Sequence, residues 1–338
     1  MSGSSLDGLD LCKANFSLVD GHWEFAIIDE ATIPLSDHLI GQLKEADRLS
    51  GFHLARLDVE FGEWISEQVL LFSEGVELIG LHGHTVYHDP SKLISLQIGS
   101  GEVICARTNI STVSDFRTKD VVLGGQGAPL VPMGEKLLFP EYDAFLNLGG
   151  ICNATIRTAD GIFHAGDIGP CNQVLNHYAE KLGKAYDDNG KLAADGRFLE
   201  GLYATWNTLD FFREGFPKSL ANNWVKKYFH TVENEQPADV LRTYCVFIAD
   251  QIAKILNKNE SKNVLVTGGG AFNSFLMELI REKTSANAIL PETQLVVYKE
   301  ALIFGFLGLL KVSGMPNVLS SCTGSARDSS SGHIYDPD

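Results

Sequence analysis

A chain of 338 residues, 44% hydrophobic and 21% charged, has the composition of a globular protein and is long enough for two domains with separate cores. A net charge of −16 argues against a nucleic-acid partner, and the absence of Lys/Arg blocks longer than a pair argues against an anionic membrane surface. No signal-like apolar region opens the chain, and the six scattered cysteines (12, 105, 152, 171, 245 and 322) form no CxxC, so a reduced, cytoplasmic protein is expected.

The first predicted elements form a hairpin. Leu9–Cys12 and Asn15–Val19, then His22–Ile28, alternate apolar residues around an Asp20-Gly21 turn. The preceding loop, Gly3-Ser4-Ser5-Leu6-Asp7-Gly8, leads into strands rather than a helix, which excludes a Walker-type P-loop. A small-residue turn of this kind still offers backbone N–H and hydroxyl donors to phosphate. Helical spacing follows over 37–49 and 53–72, with Leu54, Leu57, Phe61, Trp64, Ile65 and Val69 on one face.

A buried strand is expected at 78–81, ending in the polar run His82-Gly-His84-Thr-Val-Tyr-His88. His84 and His88 would share a metal only on a helix, and the run before Asp89-Pro90 reads as extended, so a polar loop is preferred to a metal site. Short strands at 93–98 and 111–114 flank a helix near 102–108. The Gly124–Pro132 stretch is too rich in Gly and Pro for regular structure and suits a hinge or binding loop. A second strand–turn–strand unit appears at 144–150 and 151–156, turned again by Asp160-Gly161. Its likeness to the opening hairpin suggests a duplicated domain plan.

The stretch Gly166-Asp167-Ile168-Gly169-Pro170-Cys171-Asn172 sits at the centre of the chain. Read locally, Asp167 ends a short strand over 161–165, and Pro170 opens a helix that runs to Leu182, since Pro suits a first helical turn. That would aim a carboxylate beside helix-terminal amides; a simple helix cap is the plainer alternative. Asp187, Asn189 and Asp195 lack the closing Glu of an EF-hand, which favours a solvated loop. A long helix is expected over 238–256. Val264–Thr267 then runs into Gly268-Gly269-Gly270, an open platform for an anion or nucleotide. Two short strands (288–290 and 295–297), a helix over 299–310 and an irregular or mobile tail from Ser313 complete the chain.

Glycine loops after several strands, with acidic residues at strand ends, suit phosphoryl transfer. The motifs Met1–Gly8, Leu81–Val86, Gln97-Ile-Gly99, Asp115-Phe-Arg117, Gly124–Leu130, Asn147–Asn153, Asp167–Asn172, Gly268–Asn273 and Lys299-Glu-Ala301, in this order, resemble the anhydro-N-acetylmuramic acid kinases of the actin/sugar-kinase/Hsp70 superfold. The resemblance spans nearly the whole chain. It implies an α/β protein of two actin-like (ribonuclease H-like) domains, 1–132 plus 300–338 and 133–299, with an interdomain cleft.

It further implies a kinase that phosphorylates O6 of 1,6-anhydro-N-acetylmuramic acid with ATP while water opens the anhydro bridge. Asp167 would be the base that activates this water. Residues Gly3, Ser4, Ser5, Leu6, Asp7, Gly8, Leu9 and Asp10 would form the ATP phosphate loop, with Asp7 holding Mg²⁺ through water. Asn147, Gly149, Gly150 and Asn153 would form a second phosphate loop, and Gly268, Gly269 and Gly270 would lie against adenosine. Arg117 suits the lactyl carboxylate of the sugar, a domain-bridging salt bridge being its alternative role. His84, Gln97, Gly125, Gly127 and Asn172 complete the expected sugar contacts, and a homodimer is implied.

The family's Thr-Ser stands here as Ser4-Ser5, its Asp-Thr-Gly-Pro-Gly-Asn as Asp167-Ile-Gly-Pro-Cys-Asn172, and its Gln after His-Gly as His84. These departures leave open a kinase for another amino sugar, or a nucleotide-gated sensor with reduced catalysis.

Overall fold

Asp20 and Gly21 both take positive φ (51° and 81°), the backbone of a two-residue turn whose twist matches its flanking strands. They join β1 (Leu9–Val19) to β2 (His22–Ile33) in an antiparallel hairpin. The remaining strands are β3 (Leu78–Gly80), β4 (His84–Asp89), β5 (Ile94–Ile98), β6 (Ser111–Ser114), β7 (Ala144–Leu148), β8 (Ile151–Arg157), β9 (Phe163–Pro170), β10 (Asn263–Thr267), β11 (Asn287–Ile289) and β12 (His333–Tyr335). The computed structural model describes residues 1–2, 6, 8–216, 218–220, 222–232 and 234–337. They divide into two units, Met1–Phe139 with Tyr298–Asp338, and Pro140–Val297.

In the first unit, β4 pairs with β5, and β6 lies between β3 and β12. The helix Gly51–Leu70 is capped by Ser50 and buries Leu57, Phe61, Ile65 and Val69, following the apolar stripe of its sequence. The helix Thr293–Val312 buries Leu302, Phe304, Phe306 and Leu307 in this unit. Gly80 of β3 lies so close to it that a Cβ would stand 2.2 Å from the Phe304 carbonyl oxygen.

Two expectations at this end of the chain are corrected. Residues 295–297 are helical, not a strand; a short apolar run cannot distinguish the two by pattern alone. The segment from Ser313 is also built into the fold. Within it, β12 pairs antiparallel with β6, Val318 and Cys322 are buried, and Asn317 bonds the Leu307 and Ser331 carbonyls at 3.0 and 2.9 Å. Ser and Gly made it look irregular, yet Asn317 ties it down by side-chain bonds at both ends, its Oδ1 accepting from the Ser331 N–H at 2.7 Å.

In the second unit the sheet order is β11-β10-β7-β8-β9, with β10 parallel to both neighbours and β7–β8–β9 antiparallel. One sheet face (Leu146, Leu148, Cys152, Ala154, Ile168, Val266) belongs to a core with the helix Pro237–Lys258 and a cluster of aromatic residues including Trp206, Phe229, Tyr244 and Phe247. Asp187, expected in a solvated loop, is buried and accepts from the Leu192 and Ala193 N–H groups at 2.8 and 2.9 Å. It is a structural cap.

Candidate active site

The centre of the second unit is a polar row across four strands. Asp167 of β9 faces Asn153 of β8, Asn153 faces Asn147 of β7, and Asn147 faces Thr267 of β10. Directly paired residues leave a sheet on the same side, so these side chains share the face opposite the large core.

Asp167 does not end a strand, as local reading suggests; it lies inside β9, which continues to Pro170. Pro170 is therefore not in the first helical turn, and the helix Asn172–Glu180 starts two residues later. Cys152 pairs with Gly169 and Asn153 with Asp167, leaving Ile168 as an extra residue. Such a bulge re-aims its neighbours. Ile168 turns into the core, fully buried, as does Cys171. Both departures from the family pattern beside Asp167 thus pack away from the polar row.

The Asp167 carboxylate is half-buried. Its Oδ2 accepts from the Leu220 N–H at 2.7 Å, its backbone N–H donates to the Lys218 carbonyl at 2.8 Å, and Oδ1 has no partner among the described residues. Burial raises its pKa above the ordinary carboxylate value, opposed by the Leu220 N–H and the Lys218 charge. Such an environment makes a carboxylate a better base.

The helix-terminal amides are not free donors, contrary to expectation. Cys171 and Gln173 N–H groups donate to the Gly150 carbonyl and the Asn172 N–H to Gly149, at 2.8, 3.1 and 3.1 Å. The Asn172 side chain donates to the Leu148 carbonyl at 3.0 Å. The Gly149-Gly150 turn is thereby locked to the helix start.

The glycine triplet closes on the same place. Gly268 has φ +83°, and a Cβ there would stand 2.4 Å from Asn147 Oδ1 and 2.8 Å from the Leu148 carbonyl carbon. Gly270 is buried against Leu148, and only Gly269 is exposed. The triplet is less open than its sequence suggests: Asn147, Gly149, Asn172 and Gly268–Gly270 form one packed set of turns.

In the first unit, Gly3, Ser4, Ser5 and Asp7 lie outside the described residues. Around them, Leu6 has φ 57°, and Gly8 packs where a Cβ would meet Thr32 Cγ2 at 2.8 Å. Leu9 is buried at the start of β1, and Asp10 Oδ1 accepts from Thr32 Oγ1 at 2.7 Å.

Arg117 is the centre of the other group. Its Nη1 donates to the Gly127 carbonyl and its Nη2 to His82 Nε2, both at 2.7 Å, while its buried Nε has no partner among the described residues. It forms no ion pair among the described residues. Burial lowers its pKa to about 10, partly opposed by Glu300.

His82 and Glu300 escaped the sequence reading. The Lys-Glu-Ala motif drew attention to Glu300 only as part of a pattern. Burial raises the Glu300 carboxyl, with Lys299 and Arg117 pulling it down and Glu135 and Asp10 adding to the rise.

Gln97 donates to Ser95 Oγ at 3.0 Å, yet among the described residues its Oε1 has no partner, and neither does His84 Nδ1. Burial lowers the His84 pKa. Three of the six sugar-side candidates, His84, Gln97 and Arg117, therefore carry orphaned buried polar atoms. Gly125 and Gly127 have a structural reason to be glycine. Both wrap the buried Asp120, whose Oδ2 accepts from the Gly127 N–H at 2.8 Å and would stand 2.2 Å from a Cβ at Gly125. Among the described residues no group of three or more His, Cys, Asp or Glu could hold a metal, and no helix is long and apolar enough to cross a membrane.

Residues 1–337 match the family described as anhydro-N-acetylmuramic acid kinase. The chain is 33% identical over 366 residues to the anhydro-N-acetylmuramic acid kinase of Aliivibrio fischeri, covering 99% of this chain and 97% of that protein. It is also 33% identical over 368 residues to the enzyme of that name from Vibrio cholerae, covering 100% and 97%. Among solved structures, a ROK family glucokinase from Streptomyces griseus aligns over 88% of this chain and 99% of its own, at 13% identity and a TM-score of 0.39.

Proposed function

The chain belongs to the anhydro-N-acetylmuramic acid kinase family, and from that premise we propose that it phosphorylates 1,6-anhydro-N-acetylmuramic acid with ATP in cell-wall recycling. Water adds to the anomeric carbon as its bond to O6 breaks, and O6 takes the γ-phosphoryl group of ATP. The products are ADP and N-acetylmuramic acid 6-phosphate. A bridging ether oxygen has no proton to lose, so the base must act on the water instead. Asp167 takes that proton; its half-buried carboxylate, bonded among the described residues through Oδ2 alone, supports the role.

Arg117 pairs with the lactyl carboxylate of the sugar, and the orphaned atoms of His84 and Gln97 find partners on its polar groups. An unpaired buried polar atom is costly unless a ligand satisfies it; this observation best supports a polar, anionic small molecule as the occupant. Gly125, Gly127 and Asn172 shape the sugar side.

ATP is bound by the loop from Gly3 to Asp10, by Asn147, Gly149, Gly150 and Asn153, and by Gly268 to Gly270. Mg²⁺ arrives with ATP, neutralising phosphate charge. Mg²⁺ commonly takes one or two carboxylates plus phosphate oxygens and waters, and Asp7 of this loop holds it through water. A cytoplasmic homodimer completes the proposal.

The test is mass spectrometry of the product formed from Mg·ATP, the anhydro sugar and oxygen-18 water. Heavy oxygen on the anomeric carbon of a phosphorylated sugar is the expected result. ATP binding with no phosphorylated sugar would refute the assignment and favour a sensor.

A further inference from the structure

Arg117 is held in an unusual way for a half-buried cation. Its two described partners are both neutral acceptors, the Gly127 carbonyl and a histidine nitrogen. The histidine's protonation follows from its contacts. His82 Nδ1 lies 2.8 Å from the Gly83 carbonyl, which can only accept, so Nδ1 carries the hydrogen. Nε2 lies 2.7 Å from Arg117 Nη2, which can only donate, so Nε2 carries none. The ring is therefore a neutral imidazole, and its edge contact with Phe304 keeps it buried. Burial and the Arg117 charge both lower its pKa well below the ordinary value.

The second partner is fixed as firmly. The Gly127 N–H donates to Asp120 Oδ2 at 2.8 Å, and Asp120 Oδ1 accepts from Thr323 Oγ1 at 2.7 Å. Asp120 and Thr323 are buried. One carboxylate thus ties the glycine loop to the C-terminal segment without touching the guanidinium.

We propose that His82 and Asp120 are positioning residues that clamp Arg117 through neutral acceptors, leaving its charge for an anionic substituent of the sugar and so determining selectivity for a carboxylate-bearing substrate. A carboxylate in the place of His82 would bind Arg117 more tightly and compete with that substituent. An imidazole fixes the guanidinium fork without cancelling it. This inference rests on the sugar-kinase reading above, in which Arg117 meets the lactyl group.

The test compares two substrates that differ by that group, 1,6-anhydro-N-acetylmuramic acid and 1,6-anhydro-N-acetylglucosamine. His82→Leu should raise KM for the first by about tenfold or more, as expected for a misplaced charge-assisted hydrogen bond, with kcat and the KM for ATP little changed. The second substrate should hardly respond. His82→Gln, whose amide oxygen can accept from Arg117, should recover most of the loss. Asp120→Ala, which removes the acceptor of the Gly127 N–H, should raise the same KM.

Equal losses on both sugars, or identical behaviour of the Leu and Gln variants, would overturn the selectivity role. The clamp is judged separately, by nitrogen-15 NMR of the His82 ring. A neutral Nδ1–H tautomer through the physiological pH range is expected, and an imidazolium or an Nε2–H tautomer would overturn it. If the ring is neutral as described but neither sugar is phosphorylated, the sugar-kinase reading fails and the selectivity role with it.

Discussion

Replacing Arg117 with Met separates binding from folding more sharply than any other single change. Burial lowers the guanidinium from its ordinary value to about 10, a difference worth roughly 3 kcal/mol against the charged form. Partial exposure of the side chain reduces this to about 2 kcal/mol. Both pKa values lie far above neutrality, so Arg117 is charged in the folded and the unfolded chain at pH 7. The cost is then fully present, and it fades only as pH rises through about 10 towards the ordinary arginine value.

Met removes that cost but leaves the Gly127 carbonyl and His82 Nε2 without their donor, at about 1 kcal/mol or more each. The opposing terms nearly cancel, so denaturant unfolding should find the variant within about 1 kcal/mol of the parent. Turnover should behave very differently. Loss of a desolvated charge pair costs about 2–5 kcal/mol, which lowers kcat/KM for the lactyl-bearing sugar by at least about thirtyfold. Destabilisation beyond about 3 kcal/mol, with equal losses on sugars with and without the carboxylate, would show that Arg117 is a structural ion-pair partner and would refute the reasoning.

Asp167→Asn should lower kcat by about 10²–10⁴, the usual worth of a general base, while unfolding measurements show stability equal to or above the parent. The sign follows from burial: a carboxyl with a raised pKa disfavours folding when ionised, and that cost is relieved as pH falls through its folded value. For the same reason, the acidic limb of the kcat/KM profile should lie above the ordinary carboxylate range and vanish in the Asn variant. Lys299→Met should destabilise by about 3–5 kcal/mol, because Lys299 and Glu135 form a buried pair at 2.7 Å; adding Glu135→Leu should recover part of the loss in denaturant titrations, and a single-variant loss below about 1 kcal/mol would contradict the burial. Gly268→Ala places a methyl 2.4 Å from Asn147 Oδ1 on a φ of +83°, so it should cost about 1–3 kcal/mol of stability or raise the KM for ATP; unchanged values in calorimetry and kinetics would show the turn to be slack.

Local pattern by itself determined much of this protein. The Asp20-Gly21 hairpin, the amphipathic helix Gly51–Leu70, the β7–β8 hairpin and the long helix Pro237–Lys258 are legible because turn chemistry and apolar spacing act over a few residues. The ordered motifs likewise carried the family, since they persist along the whole chain.

What pattern could not decide depends on partners distant in sequence. Pro170 reads as a helix start until β8 pairs with it and carries β9 on to Pro170, with Ile168 as the extra residue of a bulge that leaves Asp167 on the polar face and Ile168 in the core. The glycine triplet reads as an open platform until β10 joins β7 and seats it on Asn147 and Leu148. The Ser/Gly-rich tail reads as mobile until β6 pairs with it and Asp120 accepts from Thr323. His82 is one more polar residue in a polar run until Arg117 is placed against it, 35 positions away. Hydrogen-bond partners and burial are tertiary quantities. They decide which carboxylate becomes a stronger base and which cation meets neutral acceptors, whereas the sequence names only the residue types available for those roles.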